Sequence, residues 1–383
     1  MTWDIFCTVI DNFGDIGVTW RIARQLADEH GQIVRLWVDD LLAFSCIRPE
    51  IDPGLGTQIL SGVEVRRWTL NLPDIEPGEV VIEALACNLP DEFVSRMVRR
   101  KQKPVWINLE YLTAETWARG VHGLPSPHPF LPLVKYFYMP GFTADTGGLT
   151  REGSLRAQRA AFQSDEQARS AFWADLGLPS EHADELRISL FCYENCALAG
   201  LFKAWSTDPR PTRVFMPEGK TLPVIAAWFG TPDARAGTVL QLGKLTLHIL
   251  PMLHQDAYDR LLWGCDLNFV RGEDSFVRAQ FAGLPMVWHA YRQQEGAHLA
   301  KLDAFLDLYC ADMPVDLAAL TRNFWKAWNR DEDVAAMWPV LYAALPTLAG
   351  HARLWEGSLC TQPDLAAKLL NFSLEKVKCT VSQ

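Results

Sequence analysis

Three features of the chain predict an α/β fold in two domains. Apolar, strand-like runs alternate with helix-like segments along most of its length, the pattern of parallel sheets covered on both faces. A charged, helical stretch at 152–176 interrupts that alternation, and a second series of strands begins beyond it. The length of 383 residues is also large for one core and comfortable for two. With 49% hydrophobic residues, 15 of the whole chain being tryptophan, the composition supports two cores and argues against disorder.

The first strand, residues 3–10, runs into Asp11-Asn12-Phe13-Gly14-Asp15-Ile16-Gly17, after which Trp20, Ile22, Ala23 and Leu26 recur at helical spacing. Two carboxylates and two glycines thus fall in a loop at the carboxyl edge of a sheet, where such folds hold their ligands. Gly14 and Gly17 would let the backbone turn tightly and approach a ligand. The plainer alternative is a turn whose aspartate caps a helix. Strands at 33–38, 80–84 and 104–109 follow, and each ends near polar or small residues: Asp39-Asp40, Glu83 to Cys87, and Asn108-Leu109-Glu110-Tyr111. The stretch 116–148, rich in His, Pro, Gly and aromatics, reads as a long ordered loop.

In the second half, strands are expected at 187–191, 212–216, 245–249, 267–270 and 285–288, and a terminal helix at 364–378. Arg271-Gly272-Glu273-Asp274-Ser275 follows the fourth of these strands and opens a helix, capped near Asp274 or Ser275, that ends at Ala282-Gly283. The unpaired N–H groups and macrodipole of such a helix start suit a diphosphate, with Arg271 adding a charge-assisted contact. Glu273 and Asp274 suit sugar hydroxyls instead. An ion-pair cluster capping an ordinary helix is the plainer alternative. Phe191 and Tyr193 end the first strand of this half and can line a base pocket, although packing is the commoner use of such rings. Gln255 and Tyr258 can face the same ligand, while Leu261 and Leu262 are expected in the core. His298, four residues after Gln294, reads as structural.

Composition narrows the chemistry. A formal charge of -10 argues against a nucleic-acid protein with a broad basic surface. Nine scattered cysteines without a C-x-x-C pair suggest free thiols in a reducing cytoplasm. Neither a signal-peptide pattern nor an apolar run long enough for a bilayer is found, so no membrane partner is expected. The dinucleotide, P-loop, zincin and nucleophile-elbow motifs are absent, and the histidines lack ligand spacing, so no metal or cofactor is expected. The residues by themselves describe a two-domain nucleotide or nucleotide-sugar enzyme.

The segments Asp11 to Arg21, Gln255-Asp256-Ala257-Tyr258-Asp259 and Arg271-Gly272-Glu273-Asp274-Ser275-Phe276 together resemble EarP, a family of bacterial protein-arginine rhamnosyltransferases, over essentially the whole chain. The resemblance implies a GT-B fold, two Rossmann-like domains facing across a cleft. It implies inverting, metal-free transfer of L-rhamnose from dTDP-β-L-rhamnose to an arginine of translation elongation factor P, in support of ribosomes stalled at polyproline. The same resemblance places the family's two loop aspartates at Asp11 and Asp15 and its donor-site glutamate at Glu273, the three residues expected to be catalytic; because a guanidinium must give up a proton to attack, Asp15 is the favoured base and Asp11 its orienting partner. Asn12, Phe13, Gly14, Phe191, Tyr193, Gln255, Tyr258, Arg271, Asp274 and Ser275 are then expected near the donor. The expected domains are 1–165, carrying the aspartates and joined by the terminal segment 364–383, and 180–363 for the donor. A GT-B transferase with a small-molecule or glycan acceptor and a non-catalytic elongation-factor-binding protein are the alternatives.

Overall fold

The first apolar run forms strand β1 (Thr2–Cys7), shorter than its hydrophobic stretch. Beyond Cys7 the chain leaves the sheet: the Val9 N–H donates to Asp39 Oδ1 at 2.9 Å, and Ile10 turns out to solvent. The computed structural model describes residues 1–10, 13–69, 72–182 and 184–381. It divides into two compact units, residues 1–153 with 361–383, and residues 154–360.

In the first unit β1 is joined by β2 (Ile33–Val38), β3 (Thr57–Leu60), β4 (Val63–Arg67), β5 (Val80–Ala84), β6 (Val105–Leu109), β7 (Pro125–Pro127) and β8 (Val134–Tyr138). Their order is β3-β4-β2-β1-β5-β6-β8-β7, parallel except that the edge strands β3 and β7 run antiparallel to their neighbours. Ile5, Ile16, Trp20, Ile22 and Leu26 pack on one face of the sheet, while Phe6, Trp37, Phe93 and Trp106 belong to a second cluster. The buried Asp4 carboxylate is satisfied by the Trp37 indole N–H at 2.8 Å, the Gly78 N–H at 2.7 Å and the Arg35 guanidinium at 2.6 Å, as a buried charge requires.

The long loop expected at 116–148 contains a helix (Trp117–Val121) and the hairpin β7–β8. The two prolines of β7 hid it from periodicity, and they are tolerated because β7 is an edge. Lys135, an unlikely residue for a strand on its face value, ion-pairs with the buried Glu83 at 2.5 Å and lies over the Trp106 ring.

The terminal helix (Leu365–Val381) belongs to the first unit. Leu365 donates its N–H to the Leu149 carbonyl at 2.8 Å, and Phe372 packs edge-on against Tyr136 and Tyr138. The charged connection is two helices, Leu155–Ser164 and Glu166–Asp175, broken at Asp165, whose carboxylate caps the second. Residues 154–165, read from sequence as the end of the first domain, cluster with the second unit, because Phe162 packs on Phe172 and Trp263 and Arg159 donates to the Phe281 carbonyl.

The second unit contains β9 (Leu186–Leu190), β10 (Thr212–Pro217), β11 (Val239–Leu242), β12 (Leu245–Leu250), β13 (Leu267–Arg271) and β14 (Met286–His289), in the order β11-β12-β10-β9-β13-β14. Only β11 is antiparallel. Both sheets reverse direction beside their first strand, between β1 and β5 and between β9 and β13, and such switch points open a crevice at the carboxyl ends of the strands.

Candidate functional site

Asp15 stands at the switch point of the first unit, but in a helix rather than a loop. The helix Gly14–Asp28 begins inside the expected turn, so Gly14, Asp15 and Gly17 are helical, and the Phe13 carbonyl accepts the Gly17 N–H at 2.9 Å. A carboxylate in a first turn is favoured by the unpaired N–H groups there. Asp15 is 2% exposed. Its Oδ2 accepts the Ile10 N–H at 2.8 Å, and the Thr19 hydroxyl donates to its carbonyl at 2.7 Å.

The Tyr111 hydroxyl lies 3.2 Å from Asp15 Oδ1 and 3.2 Å from the Leu85 carbonyl, so one proton serves two acceptors. Leu85 and Ala86 follow β5 with φ of 57° and 64°. Left-handed backbone costs a residue with a side chain about 1–2 kcal/mol, and here the Leu85 N–H bond to the Leu109 carbonyl, at 2.8 Å, holds it. Strain kept beside a buried carboxylate is a frequent mark of a working site. Burial pushes the Cys7 thiol well up, with the Asp15 charge adding to it, and pushes Cys87 up to about 12. Neither thiol is a nucleophile near neutral pH. Asp11 and Asn12 lie outside the described residues.

At the switch point of the second unit, Phe191 and Tyr193 leave the end of β9 and Arg271 ends β13. The Arg271 guanidinium carbon sits 4.4 Å from the Phe191 ring centre and 4.7 Å from that of Tyr193. This is a cation on two aromatic rings. Tyr193 also meets His289 and Tyr291 edge-on, and Phe191 meets Tyr258. His289, beside Arg271 in the β13–β14 register, is pushed down to about 4 chiefly by burial. It is therefore neutral and does not repel the guanidinium.

Gly272 takes φ 63°, which lets β13 turn directly into the helix Asp274–Ala282, and its carbonyl accepts the Trp288 indole N–H at 2.8 Å. The cap expected at Asp274 or Ser275 is one residue earlier, at Glu273, which has no side-chain cap bond. Ser275 instead closes the turn: its hydroxyl accepts the Arg271 N–H at 3.1 Å and donates to the Arg271 carbonyl. Gln255, 5% exposed, donates to Asp274 Oδ2 at 2.9 Å and so aims that carboxylate. The Tyr258 hydroxyl is buried with no hydrogen-bond partner among the described residues, and burial raises its pKa. Leu261 and Leu262 are in the core, and His298 is a buried acceptor for the Gln293 N–H at 3.4 Å.

Two groups had no clear signal in the sequence. Tyr111 was visible as a polar strand end, but not as a partner of Asp15. Lys220 and Thr221, in the connection after β10, line a pocket with Phe191, Cys192 and Arg271. No cluster of His, Cys, Asp or Glu among the described residues could hold a metal ion, and no described helix is long and apolar enough to cross a membrane.

Residues 3–374 match the family model described as elongation-factor P (EF-P) rhamnosyltransferase EarP. Proteins named protein-arginine rhamnosyltransferase are similar along the chain. Those of Pseudomonas putida and Pseudomonas aeruginosa are each 49% identical over 371 residues, covering 97% of this chain and 98% of theirs. That of Neisseria meningitidis serogroup B is 35% identical over 96% of both chains. A solved structure described as the structural basis for EarP-mediated arginine glycosylation of translation elongation factor EF-P is 37% identical, with a TM-score of 0.70 over 98% of this chain and 99% of that one. The two doubly wound sheets are the Rossmann-like domains of a GT-B glycosyltransferase fold. From the match along residues 3–374 and these full-length relatives, the chain belongs to the EarP family of protein-arginine rhamnosyltransferases.

Proposed function

We propose that this enzyme moves L-rhamnose from dTDP-β-L-rhamnose to one arginine side chain of translation elongation factor P. Transfer inverts the anomeric carbon, uses no metal ion, takes place in the cytoplasm and equips the factor to relieve ribosomes stalled at polyproline. The observation that carries this reading is the family match over residues 3–374. The buried carboxylate of Asp15 at one switch point and the aromatic-held guanidinium of Arg271 at the other support the division of labour.

An arginine guanidinium stays protonated far above neutral pH and its lone pairs are delocalised, so it is a poor nucleophile. Asp15 accepts the proton as the nitrogen bonds to the anomeric carbon, and Asp11 orients the planar fork through paired hydrogen bonds. The bond from that carbon to the diphosphate oxygen breaks, and both electrons leave with dTDP. Arg271 and the N-terminal turn of the helix Asp274–Ala282 meet the charge that develops. Glu273 and Asp274 accept hydrogen bonds from sugar hydroxyls, Gln255 orients Asp274, and Phe191, Tyr193 and Tyr258 form the aromatic surround of the base. Ser275 acts through the turn, holding Arg271 in place. Asn12, Phe13 and Gly14 complete the donor contacts.

The test is the intact mass of unmodified elongation factor P after incubation with the enzyme and dTDP-rhamnose, without added metal. One deoxyhexose located on arginine by fragmentation is expected. Donor consumption without a mass shift points to a small-molecule or glycan acceptor. Binding to the factor without donor turnover points to a non-catalytic partner.

A further inference from the structure

The pocket at the carboxyl ends of β9 and β10 has an apolar wall of Leu190, Phe191 and Met216, and its ionisable basic groups are Lys220 and Arg271. No carboxylate among the described residues lines it. Glu218, two residues before Lys220, turns away to accept the Ala236 N–H at 3.3 Å. The Cys192 thiol in the lining is pushed up to about 12 by burial, against the pull of Arg271, and stays neutral. Among the described residues, the Lys220 ammonium has neither a hydrogen bond nor an ion pair, and the Arg271 guanidinium has ring faces but no carboxylate. The Thr221 hydroxyl donates to the Cys192 carbonyl at 2.9 Å, which ties the loop bearing Lys220 to the end of β9. Lys220, an exposed residue, and Arg271 thus line one concavity with no acidic partner among the described residues, and their positive potential favours an anion there.

The geometry points to Lys220 as a second phosphate-binding group that shares the diphosphate of the donor with Arg271. This inference rests on the nucleotide-sugar reading of the second unit and adds a residue to it. Lys220 is a compact charge on a flexible stem, suited to following phosphate oxygens, whereas Arg271 is fixed by its two rings. As the sugar–oxygen bond breaks, the electron pair stays on the departing diphosphate oxygen, and Lys220 stabilises it by hydrogen bonding without transferring its proton.

Calorimetry on the full chain with dTDP, thymidine and inorganic pyrophosphate tests this. Lys220→Ala is expected to weaken dTDP about tenfold, the scale of a charge-assisted hydrogen bond, to leave thymidine unchanged, and to flatten the salt dependence of dTDP binding. Lys220→Arg should recover most of the affinity. Wild-type dTDP affinity in Lys220→Ala overturns the proposal, and so does an equal loss for thymidine, which would mean a changed pocket shape. If the wild-type protein binds pyrophosphate in a Lys220-dependent way but not dTDP, the anion site stands and the donor reading falls. If it binds neither, both fall.

Discussion

The two units use one backbone plan for opposite charges. Each has a sheet that reverses beside its first strand, between β1 and β5 in one and between β9 and β13 in the other. At the first reversal a buried carboxylate, Asp15, is held by the Ile10 N–H and neighboured by the Tyr111 hydroxyl. At the second a guanidinium, Arg271, rests on two aromatic rings. The rigidity also differs in origin. Strained backbone at Leu85 and Ala86 frames the acidic site, whereas Gly272 and the Ser275 hydroxyl shape the basic one without a comparable penalty. The fold supplies a place for chemistry, and the residues that fill it decide whether that place takes a proton or a phosphate.

The comparison is broken most directly at Asp15. Asp15→Asn should lower turnover about 100-fold or more, the scale of a lost general base, while dTDP affinity by calorimetry stays at the wild-type value. If affinity falls as well, the two units do not divide the work in this way. A smaller effect is expected at Arg271. Arg271→Lys keeps the charge but loses the planar stack on Phe191 and Tyr193, so dTDP should bind about tenfold more weakly. Wild-type affinity in that variant would make the rings packing residues only.

The smallest effect is on stability and concerns the second unit. His248 and His289 are each lowered from 6.5 to about 4, mainly by burial. Around His289, Asp331 opposes the shift while Arg292, Arg271 and His298 reinforce it. Below 6.5 the unfolded chain binds protons that the folded one does not, so folding weakens as pH falls from 6.5 and the loss levels off below about 4. Thermal unfolding across that window should show the decline, and His289→Phe should make it shallower. An unchanged slope would mean that His289 does not titrate as its burial implies.

Much of this architecture was legible because parallel strands buried on both faces are continuous apolar runs. β2 and β5 coincide with the expected 33–38 and 80–84, and all five expected strands of the second unit occur within a residue or two of their expected ends. The antiparallel edge strands β3, β7 and β11 were not, nor were β4 and β8 beside two of them. β3 is half exposed, β7 is Pro-Ser-Pro and β11 is largely exposed, so none carries a strong apolar signal. The site was legible as motifs but not as contacts. Asp15 and Arg271 stood in recognisable strand-to-helix segments, while Tyr111 is 96 residues from Asp15 and Lys220 is far in sequence from Arg271.

By itself the sequence determined the α/β class, the two series of strands and the family, because hydrophobic period and short motifs are local properties. Tertiary structure decided where the helix after β1 begins, which unit claims residues 154–165, which contacts hold the terminal helix, and which groups surround each charge. Those outcomes depend on contacts between distant segments: Leu365 on Leu149, Phe162 on Trp263, Tyr111 beside Asp15, and Lys220 in one pocket with Arg271. A one-dimensional pattern records which side chains seek burial, but the partner that each one meets is set only when the sheets close over their cores.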